Sequence, residues 1–325
     1  MKTALITGIT GQTGGYLCEQ LVDAGWEVHG LVRDADDLES DFRGRFPGVT
    51  LHSGDLTSEA SLRNAVMGVR PGAIFNLGGL SSVSSSWKAP VLTGQVNGMA
   101  VGMLLELAAE LRRETGERLS FVQASSAEIF GVASQVPQNE DTPVRPVNPY
   151  GASKAYAHHL VGVYRRAGLS ASSCILYNHE SPRRPESFVT RKITRGVARI
   201  SAGLDSTLTL GSLDVKRDWG WAPDYARALA LAAEAEAGDY VIATGTAHTV
   251  RDFVSAAFGA VGITDWEPFV EQDPAFMRAQ DAPNQVGDAS RAREVLGWEP
   301  SVEFDELVRR MVDHDLELVR AASSN

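Results

Sequence analysis

Three glycines, Gly8, Gly11 and Gly14, follow directly on the short apolar run Met1–Thr7. A helical period over Tyr16–Ala24 comes next, closes at Gly25, and gives way to a second strand-like run, Glu27–Val32. Each glycine has a separate task in such a turn. Gly8 permits the tight bend, Gly11 lets backbone approach a diphosphate, and Gly14 lets helix and strand pack closely. Strand, glycine turn, helix and strand make a βαβ unit whose turn is built to cradle a dinucleotide. Thr10, Gln12 and Thr13 lie in the same turn and belong to the expected cofactor contacts.

The alternation continues. Strand-like runs recur at Val49–His52, Ala73–Leu77, Leu119–Ala124 and Ala171–Tyr177, with helical stretches Ser58–Val69, Gly98–Glu114 and Pro149–Ala167 between them. Nearly all-apolar strands alternating with helices imply an α/β doubly wound parallel sheet of Rossmann type. After Tyr177 the rhythm breaks. Asn178–Phe188 is polar and proline-rich and reads as a loop; Val189–Ala202 and Glu303–Ala321 return to helical spacing. The expected division is a dinucleotide-binding domain over 1–177 plus about 213–245, and a smaller α/β substrate domain from about 178–212 and 246–325.

A net charge of -11 argues against nucleic acid as a partner. No apolar run is expected to span a membrane, and Lys2 leads straight into a strand rather than a leader peptide, so the expected location is cytoplasmic. Cys18 and Cys174 sit in apolar contexts and read as buried thiols. His158 and His159 offer no zinc spacing, so no metal is expected.

The cofactor's identity turns on the end of the second strand. A carboxylate there would hold the ribose diol of NAD. The place falls at Val32, and Arg33 follows, which favours a 2′-phosphate and hence NADP; Asp34, Asp36 and Asp37 nearby argue the other way. Asp55, with Leu56 beside it, follows the third strand and is placed for the adenine. Leu77, Gly78 and Ser81 follow the fourth.

The chemistry rests on Tyr150 and Lys154, which share a helix face at i and i+4. The cation, with a nicotinamide ring, is expected to lower the phenol toward working pH, so that it can take the proton of an alcohol. Ser126 and Glu128 lie at the end of the strand that starts near Leu119, at the ligand edge of the sheet. Ser126 is placed to bond a substrate hydroxyl. Glu128 is a base that a plain alcohol dehydrogenase does not need, fit to remove a proton from carbon beside a ketone. The cations Arg183, Arg184, Arg191, Lys192, Lys216, Arg217 and Arg278 suit the diphosphates of a cofactor and a substrate.

These residues together resemble the GDP-mannose 4,6-dehydratase family of extended short-chain dehydrogenases/reductases. Ala4-Leu5-Ile6-Thr7-Gly8-Ile9-Thr10-Gly11-Gln12 carries the likeness, as do Asn178-His179-Glu180-Ser181-Pro182-Arg183-Arg184, Lys216-Arg217-Asp218-Trp219-Gly220 and Leu296-Gly297-Trp298-Glu299-Pro300. The resemblance implies a nucleotide-diphosphate sugar as substrate, C4 oxidation through Tyr150, C5 proton removal by Glu128, loss of water from C6 and return of the hydride there. It implies that His179 and Arg184 contact the cofactor. Ser81, Asn178, Val189, Lys192, Arg217 and Arg278 would hold the nucleotide sugar. There are departures: Ala127 stands where Ser is usual, Leu80-Ser81-Ser82 where Gln-Ser-His is common, and the 33–49 stretch is short. That shortening removes a tetramer contact of the family, so a homodimer is expected, with a tetramer as the alternative. A 4-keto-sugar reductase or epimerase, and more remotely a non-catalytic NADP-sensing regulator, are the competing functions.

Overall fold

The computed structural model describes residues 2–34, 40–276 and 284–323. Arg278, Asp36 and Asp37 lie outside the described residues. The first six strands are β1 (Thr3–Thr7), β2 (Glu27–Val32), β3 (Thr50–Ser53), β4 (Ala73–Asn76), β5 (Ser120–Ser126) and β6 (Ser170–Leu176). Then come β7 (Asn178–Glu180), β8 (Leu208–Leu210), β9 (Lys216–Trp221), β10 (Asp239–Ile242), β11 (Ala247–Thr249), β12 (Val270–Gln272) and β13 (Asn284–Gln285). Seven of them form one parallel sheet in the order β10-β6-β5-β4-β1-β2-β3. The strand order reverses beside β1, which opens a crevice at the C-terminal ends of β1 and β4.

The helices are α1 (Gln12–Asp23), α2 (Ser40–Arg45), α3 (Glu59–Val69), α4 (Val83–Lys88), α5 (Pro90–Gly94) and α6 (Ala100–Thr115). They continue with α7 (Pro149–Arg166), α8 (Val189–Ser201), α9 (Ala222–Glu234), α10 (Val250–Ala260), α11 (Ser290–Leu296) and α12 (Phe304–Ser323). Both faces of the sheet are covered. Ile6, Phe75, Val122 and Ile175 join a core with Leu17 of α1 and Leu229 of α9; Leu5, Ile74 and Phe121 join another with Leu104 of α6 and Val161 of α7. Strands buried on both faces have no polar side to alternate, which is why they read as continuous apolar runs. A third core gathers Ile193, Trp219, Phe253, Phe258, Leu307 and Met311 under α8, α10 and α12; these helices, with the strands outside the large sheet (β7–β9 and β11–β13), make a second lobe.

Three expectations need correction. Asn178–Glu180 is not loop but strand, paired in parallel with β9 at Asn178↔Trp219 and Glu180↔Trp221. Three residues are too few to show a period, and the partner lies far along the chain. Next, Pro90–Thr115 is a single helical run long and apolar enough to cross a membrane by length and composition. Half of it is buried, with α6 packed on α3 and α7. The expected start at Gly98 is also late, because α5 runs into α6 through a π-turn at Gln95–Met99. There Asn97 is buried, and its side chain accepts from Leu80 N (2.8 Å) and donates to Leu80 O (3.0 Å) and Ser153 Oγ (3.2 Å). Such turns recur where a helix serves a site.

Candidate active site

The glycine turn is a cradle that only glycine can build. Gly8 has φ +69, and a Cβ on it would meet Gly78 N at 2.7 Å. A Cβ on Gly14 would meet Gly8 O at 2.2 Å. Gly11 caps α1 without a side-chain bond, and no acidic residue stands in the first turn. The unsatisfied N–H groups and the positive helix end are therefore open to a diphosphate. Thr7 Oγ1 fixes the neighbouring strand end, donating to Asn76 Oδ1 (2.6 Å) and accepting from Gly78 N (2.9 Å). Leu77 N donates to Thr7 O, and Leu56 packs against Gly78. Thr10 is exposed at the turn.

Gln12 and Thr13 reach the second lobe. Gln12 Nε2 donates to His179 O (2.9 Å), its Oε1 accepts from Ser181 Oγ (2.8 Å), and Thr13 Oγ1 pairs with His179 Nε2 (2.8 Å). The other ring nitrogen, Nδ1, faces Tyr177 O at 2.8 Å, so the proton sits there and Nε2 accepts from Thr13. Burial, then the Arg184 charge, lowers His179 to about 4 and keeps it neutral. Arg33 and Asp55 stand exposed at the ends of β2 and β3. Hydrogen bonds from Thr57 N (2.7 Å) and Thr57 Oγ1 (2.8 Å) to Asp55 Oδ1, helped by Arg33, hold that carboxyl below its usual range. That oxygen turns the chain into α3.

The reacting groups meet at the ends of β5 and α7. Asn148 caps α7, accepting from Gly151 N at 2.7 Å, and Pro149 fixes the first helical residue. Tyr150 follows at once. Lys154 Nζ lies 5.9 Å from the Tyr150 ring centroid and donates to Ala124 O at 2.9 Å. Burial lowers this ammonium to about 8. Among the protein's own groups, burial pushes the Tyr150 phenol up from its usual value, a bond to Ser126 opposes this, Glu128 adds to it and Arg184 counters it.

Ser126 ends β5 and accepts from Glu128 N at 3.3 Å. Glu128 is gripped by two amides, from Asn148 Nδ2 to Oε2 (2.8 Å) and from Gln285 Nε2 to Oε1 (3.2 Å). Gly151 lets α7 pass close by, since a Cβ there would meet Glu128 O at 2.5 Å. Ser126, Glu128, Tyr150 and Lys154 are thus brought together. Ser81 is exposed, just before the α4 cap Ser82.

The second lobe supplies cations. Arg184 stacks on Phe188 at 3.7 Å and comes within 3.2 Å of buried Glu180. Lys192 lies 3.8 Å over Phe276, and burial lowers its pKa. Arg217 is buried on β9 and donates to Lys216 O at 2.7 Å. Asn178 begins β7, and Val189 opens α8, partly exposed. Asn148 and Gln285 were missed by the sequence reading. The pair Asn148-Pro149 ahead of Tyr150 is a helix-start signature that marks the first; nothing local marks Gln285.

The sequence model of the family described as GDP-mannose 4,6 dehydratase matches residues 5–311. The chain belongs to that family. It is 43% identical to GDP-mannose 4,6 dehydratase 1 of Arabidopsis thaliana over 98% of this chain and 91% of that one. It is 42% identical to the human GDP-mannose 4,6 dehydratase over 98% and 92%. Among solved structures, UDP-glucose 4-epimerase of Thermus thermophilus in complex with NAD matches with TM-score 0.82 at 29% identity, over 96% and 98%. The dTDP-glucose 4,6-dehydratase of Bacillus anthracis with NAD, at 18% identity and TM-score 0.82 over 97% and 96%, shares the fold. This dehydratase family member takes a nicotinamide cofactor.

Proposed function

We propose that this protein is a GDP-mannose 4,6-dehydratase working with NADP in the cytoplasm, where its buried free thiols Cys18 and Cys174 stay reduced. The observation that carries the reading is Glu128. A second acid–base group, held by two donors beside Tyr150, has no use in simple alcohol oxidation. It is what elimination needs.

Bound in the cradle, NADP+ would supply the acceptor for the C4 hydride and, once reduced, the donor that returns it to C6. Tyr150 takes the proton of the C4 hydroxyl, with Ser126 orienting that oxygen and Lys154 providing the nearby charge. The C4 ketone acidifies C5, and Glu128 removes the C5 proton. The C6–O bond breaks, and Glu128 returns its proton to the departing oxygen, which leaves as water; Ala127 offers no acid of its own. C5 then regains a proton, balancing the one Tyr150 took. His179 and Arg184 border the cofactor. Asn178, Lys192 and Arg217 serve the nucleotide diphosphate, with Ser81 and Val189 lining the sugar's approach. Incubation with GDP-mannose, and with other nucleotide sugars in parallel, should yield a 4-keto product from GDP-mannose, seen by its absorbance in alkali. Turnover of a different nucleotide sugar alone would overturn the substrate assignment.

Exposed Arg33 at the end of β2 supports the 2′-phosphate. Binding titrations should show NADP+ bound more tightly than NAD+, and Arg33→Asp should reverse or erase the difference. A wild-type preference for NAD+ would defeat this part.

A homodimer completes the reading. Val91 of α5, Met99 of the π-turn and Tyr156 of α7 are 73%, 57% and 47% exposed and line one apolar patch. Two such helical faces can pair into a four-helix bundle about a twofold axis. Sedimentation at low micromolar concentration should give a dimer, and Tyr156→Glu should shift it to monomer. A stable tetramer would contradict the expected assembly.

A further inference from the structure

The two amides on Glu128 differ in one respect. Asn148 is pinned, since its Oδ1 accepts from Gly151 N at 2.7 Å while its Nδ2 donates to Glu128 at 2.8 Å. Turning that amide over would break the cap of α7. Gln285 reaches Glu128 from β13, in the other lobe, across the site. It is 2% exposed, and its Oε1 is buried with no hydrogen-bond partner. A buried amide oxygen left unpaired is unfavourable and needs an explanation.

Two donors suit an ionised carboxylate. A carboxylate that takes up the C5 proton becomes a donor itself and then needs an acceptor. We propose that Gln285 is the positioning residue that serves Glu128 in both states: Nε2 donates to the carboxylate, and after protonation the amide turns over so that Oε1 accepts from the acid. No covalent bond changes at Gln285. The proton moves from C5 to Glu128 and on to the C6 oxygen, while the amide keeps the carboxyl aimed throughout. Charged or titratable groups around the pair include Tyr150 and Lys154 of α7, Arg184, and Arg217, which stands opposite Gln285 on β9. None of them bonds both states of the carboxyl. This inference rests on the dehydratase reading of Glu128.

Gln285→Met keeps the length and removes both bonding atoms. With GDP-mannose as substrate it should lower kcat by about ten- to a hundredfold, the scale of one lost hydrogen bond to a charged group. KM should stay within about twofold, and so should the rate of cofactor reduction in a single turnover, because the substitution touches elimination alone. Reduced cofactor and a 4-keto sugar still bearing its C6 hydroxyl should accumulate. Gln285→Glu keeps the volume and guards against a folding defect; it sets a second carboxyl on Glu128 and should slow the same step. Wild-type kcat in either folded variant, or equal slowing of cofactor reduction and elimination, would overturn the proposal. Wild-type enzyme that forms no 4-keto-6-deoxy sugar would instead remove the reading beneath it.

Discussion

Glu128→Gln should cut overall turnover by about 10²–10⁴-fold, the usual cost of a lost general base, while a single turnover still reduces NADP+. The substitution is nearly isosteric: Asn148 can still donate to the new amide oxygen, and Gln285, turned over, can accept from the new amide NH2. What disappears is the basic oxygen. C4 oxidation, assigned to Tyr150, should survive as a burst of absorbance from the reduced cofactor. Exchange of the C5 hydrogen with solvent deuterium should stop. Tyr150→Phe should block everything, the burst included, because it removes the group that takes the first proton. Burial pushes the phenol up, and the charge of Lys154, with that of a nicotinamide ring, is what would lower it. Near wild-type turnover in Glu128→Gln would transfer the chain to the reductase or epimerase reading, which keeps Tyr150 and Lys154 but has no elimination to catalyse.

Local chemistry was legible and long-range chemistry was not. The second strand stands where its apolar run ends, at Glu27–Val32, and the helix carrying Tyr150 begins at Pro149, as its cap and proline dictate. Glycine spacing located the turn because the contact between Gly14 and Gly8 is steric and acts within seven residues, whereas the close approach of Gly78 to Gly8 could not be read locally. Strand β7 stayed hidden because its pairing partner, β9, is distant in sequence. Gln285 stayed hidden for the same reason, lying 157 residues from the carboxylate it bonds. Spacing puts Lys154 on the right face of the helix but says nothing of the burial that pushes the Tyr150 phenol up, or of the carbonyl that the ammonium binds. Arg191 read as a candidate diphosphate ligand among the second lobe's cations. It is 6% exposed and paired inside the fold.

That pairing carries the largest expected effect on stability. Arg191 of α8 donates from Nε to both oxygens of Asp315 on α12, at 3.1 and 3.0 Å, and from Nη2 to Oδ1 at 2.6 Å. Thr194 Oγ1 adds a bond to Oδ2 at 2.7 Å. The guanidinium's Nη1 holds the carbonyls of Pro182 and Arg184. The C-terminal helix therefore fixes the segment that presents Arg184 to the site. Asp315→Ala would leave a buried cation without its counter-charge, which costs about 3–5 kcal/mol. The urea midpoint should fall accordingly, and nucleotide binding should weaken with it as the 182–184 segment loosens. Adding Arg191→Met to Asp315→Ala removes the stranded charge and should recover much of the stability, because the pair's net worth is smaller than the penalty for breaking it. It should not recover nucleotide affinity, because the carbonyls of Pro182 and Arg184 still lack their donor. A double variant as unstable as the single one would mean that packing under α12, rather than the uncompensated charge, sets the cost.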